Sequence, residues 1–142
     1  MNNFGRIDPD ALEWAENPEW AERYAGIDFR PPQSVADAAA RGLELRRKHG
    51  RGGLSPQEAG KQGIGSGVTR ATSLKNRQQL SPETIRRMVS YFSRHAVDLR
   101  SEAAKKSSEP TAGEIAWLLW GGNPGKSWAE KVKAQMERAD EK

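Results

Sequence analysis

Residues 81–99 carry the pattern that most limits what this chain can become. Ser81-Pro82-Glu83 is a helix start, and Ile85, Met88, Val89, Phe92, Ala96 and Leu99 follow at helical spacing. A proline fits the first helical position because its missing N–H has no partner to lose there. Apolar residues at i, i+3, i+4 and i+7 make one buried stripe, so this segment needs other helices to pack on. Arg87, Tyr91 and Arg94 project on the opposite side, with Arg86 on a flank.

Similar signals recur on both sides. Asp8-Pro9 opens a short segment with Leu12 and Trp14, and Asn17-Pro18 opens another with Trp20 and Tyr24 that ends near Gly26. Arg30-Pro31-Pro32 breaks any helix. Ser34 caps a helix over about 35–49, whose Val35, Ala38, Ala39 and Gly42 form a narrow face that lets another helix approach closely. That helix ends in Arg46-Arg47-Lys48-His49 before Gly50, with cations at the negative end of its dipole.

Residues 50–67 are glycine-rich, and Ser55-Pro56-Gln57-Glu58 marks a short helix inside them. Val68–Leu74 reads as one further short helix, and 105–110 as a linker. Thr111-Ala112-Gly113-Glu114 is a capping box that leads into Ile115–Trp120, which Gly121-Gly122 ends. Ser127-Trp128-Ala129-Glu130 is a third such box and starts a polar C-terminal helix. No segment alternates with period two. The expectation is an all-α fold: a small multi-helix domain with a glycine-rich loop and an N-terminal extended or short-helical arm.

Charge divides the chain along the same lines. Residues 1–33 carry three basic side chains against seven acidic ones, a net −4, whereas 34–109 carry fifteen against seven, a net +8. Residues 110–142 are neutral, and the whole chain is +4. We therefore divide it into an acidic aromatic arm, 1–33, and a basic helical domain, 34–142. In the arm, Trp14, Trp20, Tyr24 and Phe29 are expected to dock on a partner surface, because exposed aromatics in a polar segment are costly.

In the basic block, Arg70, Lys75, Arg77, Arg86, Arg87 and Arg94 are the expected contacts to a nucleic-acid phosphate backbone, helped by N–H groups at the helix starts of Ser55 and Ser81. Charge alone leaves open a solvated face, or one that pairs with the acidic arm within one chain or between copies, giving a homo-oligomer.

Other chemistries are weakly supported. There is no cysteine, which removes disulfides, thiolate metal sites and cysteine nucleophiles. His95 and Asp98 share a helix face, but two such ligands make a poor metal site, and no metal or cofactor is expected. Gly121-Gly122-Asn123-Pro124-Gly125-Lys126-Ser127 imitates a phosphate-binding loop, yet Trp120 stands where that motif needs its first glycine and a helix precedes it. Trp117, Trp120 and Trp128 could stack bases, but their spacing fits a tryptophan-rich core. No acid–base or nucleophilic pairing stands out, so we expect no enzyme.

The longest apolar run, Ile115–Trp120, has six residues, far from the roughly 20 that span a bilayer. MNNFGRIDPD has neither the basic nor the apolar region of a secretory signal.

Taken in order, Arg51-Gly52-Gly53, Gly67-Val68-Thr69-Arg70-Ala71, Leu80–Met88, Arg94-His95, Asp98, Ala112–Gly122 and Trp128-Ala129 resemble a small domain found in tailed-bacteriophage genomes. The likeness covers about 34–137 and leaves the acidic arm outside. Thr72 stands where that pattern often has a second basic residue. The resemblance implies a phage setting, in the virion or the host cytoplasm, and supplies no catalytic residues. The expected function is a non-enzymatic, virion- or DNA-associated protein whose basic helical domain binds nucleic acid non-specifically. The alternatives are a capsid or tail accessory protein that docks on other phage structural proteins through its acidic arm, and an inhibitor of a host protein.

Overall fold

A computed structural model describes residues 8–52, 67–103 and 109–141. The protein is all-α, with seven helices and no strand among the described residues. They are α1 (Pro9–Glu16), α2 (Glu19–Arg23), α3 (Gln33–His49), α4 (Gly67–Lys75), α5 (Pro82–Ala103), α6 (Ala112–Leu119) and α7 (Gly122–Asp140). Short α6 sits centrally, touched by α3, α4, α5 and α7, while α3 also packs on α4 and α7, and α5 on α7.

Local signals account for most boundaries. The Asp8 carboxylate accepts the Asp10 N–H and caps α1. Thr111 and Glu114 exchange both bonds of the capping box at α6. Gly50 stops α3 in left-handed backbone, φ 67°. Ile85, Met88 and Phe92 of α5 are fully buried, with Val89, Ala96 and Leu99 packed against the same core. Gly42 is where α3 meets α6: a Cβ there would lie 2.8 Å from the Leu119 nitrogen and 3.0 Å from the Leu118 carbonyl carbon.

Three expectations change. Ser34 does not cap α3, since Pro32 holds the N-cap position and the helix starts one residue before Ser34. Gly121-Gly122 does not end one helix well before the next. Gly121, at φ 112°, turns the chain, and its carbonyl already accepts the Gly125 N–H at 2.9 Å. Pro124 then falls in the first turn of α7, where no N–H is needed, and Ser127 lies inside the helix rather than at its cap. Tyr91 is buried rather than solvent-facing, because Trp120 stacks on it, with ring centroids 4.6 Å apart and planes at 9°. The helix proposed around Ser55, most of the glycine-rich loop and most of the linker before Pro110 lie outside the described residues.

Residues 8–33 join the common core. Trp20, Tyr24 and Phe29 are buried in the same cluster as Ile85, Phe92 and Leu119. Trp14 meets Trp20 and Phe29 edge-on, at 5.6 and 5.1 Å. The backbone of Leu80 fixes this group: its N–H donates to the Phe29 carbonyl, and its carbonyl accepts the Trp14 indole N–H, both at 2.9 Å. The four aromatics expected to dock on a partner thus dock on this chain.

Candidate nucleic-acid interface

The six cations singled out in the sequence do not form one free face. Arg70, on α4, turns inward and pairs with Asp10 of α1 at 2.9 Å, where Asp10 is 1% and Arg70 13% exposed. The Asp10 carboxylate also accepts the Ser81 N–H at 3.0 Å and the Thr84 hydroxyl. Ser81 caps α5 by accepting the Thr84 N–H at 3.1 Å, and its own hydroxyl donates to Glu13. Asp10 and Glu13 therefore fill the N-terminal end of α5, the position that the sequence suggested for phosphate. Burial alone pushes the Asp10 carboxyl up; Arg70 and the hydrogen bonds from Thr84 and Ser81 outweigh it and hold the pKa below its ordinary value.

The others follow different routes. Arg87 reaches Glu13 at 3.2 Å across an exposed surface. Arg86 pairs with Glu83 at 2.5 Å and donates to the Tyr24 hydroxyl at 3.4 Å, and that hydroxyl donates to Asp140 at 2.8 Å. Burial lowers the Arg86 pKa, but the Tyr24 and Glu83 contacts reverse this, so the net shift is upward and the group stays charged. Among the described residues Arg94 meets only the Ser90 carbonyl of its own helix, at 3.4 Å, and Lys75 is exposed.

Arg77 is different. It follows the end of α4 in left-handed backbone, φ 52°, the one non-glycine residue with positive φ among those described. Its N–H reaches the Leu74 carbonyl at 3.0 Å and the next N–H, of Gln78, reaches the Ser73 carbonyl at 3.1 Å, which is the helix stop that glycine usually serves. An L-residue pays roughly 1–2 kcal/mol for that backbone. The side chain then lies along the Pro31 carbonyl, with Nε donating at 2.8 Å. A carbonyl is neutral, and among the described residues no carboxylate forms an ion pair with Arg77.

Arg77 lines a cleft of about 320 Å³ together with Arg30, Lys131 and Trp128. Asp28 is the only carboxylate among the described residues of its lining, and it accepts the backbone N–H of Arg30 at 2.9 Å. The sequence offered no sign of Arg30 and Lys131 as members of a site, and it named Trp128 as a possible stacking residue but favoured a place in a tryptophan-rich core. The available signal was the i, i+3 spacing of Trp128 and Lys131, which puts them on one face of the C-terminal helix.

Among the described residues no three His, Asp or Glu side chains gather as a metal site. His95 lies against the Tyr91 ring, 4.5 Å between centroids. No described helix is long and apolar enough to cross a membrane. Comparison with known protein families, curated proteins and solved structures finds no match for this chain.

Proposed function

We propose that this chain is a small non-enzymatic phage protein, virion- or DNA-associated, that binds nucleic acid non-specifically through phosphate contacts. The observation that carries this reading is the convergence of Arg30, Arg77 and Lys131 on one cleft, with Asp28 the one carboxylate among its described lining residues. Three cations from separate elements repel one another unless an anion lies between them, so the cleft raises local anion concentration. Strained backbone tends to persist where function needs the side chain, and the left-handed Arg77 is such a case. Lys75 and Arg94, which lack carboxylate partners among the described residues, extend the basic surface beyond the cleft. Arg70, Arg86 and Arg87 belong to the fold instead, since their charges already meet Asp10, Glu83 and Glu13.

Fluorescence anisotropy with labelled duplex and single-stranded DNA at several salt concentrations tests the proposal. Three phosphate contacts give a slope of log K against log salt near −3 on duplex and about −2 on single strands. The double variant Arg30→Glu, Lys131→Glu should abolish most of the binding while Arg94→Gln weakens it slightly. Absence of binding to either DNA form at low salt refutes the proposal.

A further inference from the structure

We infer that the Arg30–Arg77–Lys131 cleft takes the base as well as the phosphate of a single-stranded nucleic acid, with Trp128 as the stacking residue. This rests on the reading of those cations as phosphate contacts and adds to it a specific ligand form.

The five tryptophans are used unequally. Trp14 donates its N–H to Leu80 and meets two rings. Trp20 shares one of those contacts. Trp117 donates to the Asn123 side-chain oxygen at 2.9 Å and meets Phe92 edge-on at 4.8 Å. Trp120 stacks on Tyr91. Trp128, among the described residues, has neither a ring partner nor a hydrogen-bonded N–H. It packs against the core, yet it also lines the cationic cleft. An indole held rigidly by the core costs little side-chain entropy when a base stacks on it.

Geometry decides between strand forms. A base within a duplex already has neighbours on both faces, so it cannot enter a cleft without being flipped out at a cost of a few kcal/mol. A base in a single strand has an open face. The polar lining fits this too. A site for phosphate alone gains nothing from Asp28, whereas a base offers N–H groups that Asp28 and the Gln135 amide can accept. The pairing of cations with one aromatic is the arrangement that single-strand binders use without sequence preference.

The decisive comparison uses the intact chain with short oligothymidylate and an abasic strand of equal length, which carry the same phosphates. Base stacking should make the oligothymidylate bind roughly five- to hundredfold tighter. Trp128→Leu should remove that difference, while Trp128→Phe keeps most of it. Equal affinity of the wild-type chain for the two strands overturns the inference yet leaves the phosphate reading standing, and it needs no variant to fold. Failure to bind either strand or duplex at low salt overturns both.

Discussion

Removing the Asp10 carboxylate should destabilise this protein more than any comparable surface change. Asp10 is 1% exposed and its partner Arg70 13%, so Asp10→Ala leaves a guanidinium buried without its counter-charge. Breaking a buried pair from one side costs about 3–5 kcal/mol. Counting orphaned donors gives a compatible figure: the Ser81 N–H and the Thr84 hydroxyl also lose their acceptor, at roughly 1–3 kcal/mol per buried group. Asp10→Asn keeps an acceptor oxygen and should fall at the lower end. Against a typical total of about 5–15 kcal/mol, the loss removes a large share of stability. In thermal melts it corresponds to about 10–15 °C for a chain of this size.

Urea unfolding followed by far-ultraviolet circular dichroism measures the loss, and a double-mutant cycle with Arg70→Met isolates the pair. Coupling of about 2 kcal/mol or more is expected, because Met fills much of the same space without a charge to orphan. If Asp10→Ala costs less than about 1 kcal/mol, or the two substitutions add to within about 0.5 kcal/mol, the buried latch is wrong. The pH dependence has a definite sign. Asp10 has a folded pKa below its unfolded one, so its contribution is complete above the unfolded value, near pH 4, and is lost as pH falls through the folded value. Stability should therefore drop in the acid range below about pH 4, and Asp10→Asn should flatten that part of the profile.

Substitutions at three further positions test other parts of the structure. Gly42→Ala places a methyl 2.8 Å from the Leu119 backbone, and should cost roughly 1–3 kcal/mol in urea unfolding despite alanine's better helix propensity. Arg77→Gly should be about 1 kcal/mol more stable than Arg77→Ala in the same measurement, since only glycine escapes the left-handed penalty at φ 52°; both should weaken DNA binding. Thr111→Ala deletes the capping box of α6 and should cost about 1 kcal/mol, read as a lower urea midpoint at unchanged m.

What the sequence revealed was local. The stripe Ile85, Met88, Phe92 and the capping box at Thr111 depend on neighbours within a turn, so spacing alone located them. The α6–α7 corner depends on Gly121 in left-handed backbone, a conformation that sequence permits but does not announce, and so the plausible cap at Ser127 misled. Tyr91 failed for a different reason. Its side of α5 became interior only because Trp120, from another helix, stacks over it.

The same limit governs the basic block. Charge counting pairs an acidic segment with a basic one, yet it cannot say which cations are taken. The fold decides that by reach. Asp10 and Glu13 lie one turn apart on α1, and they meet the N-terminal end of α5 together with Arg70 and Arg87. Arg77 lies past the end of α4, where its side chain meets the Pro31 carbonyl and no carboxylate among the described residues pairs with it, beside Arg30 and Lys131 from distant parts of the chain. The two sets are separate. The acidic segment and a nucleic acid therefore need not compete, because the cations paired with Asp10 and Glu13 are not the ones that line the cleft.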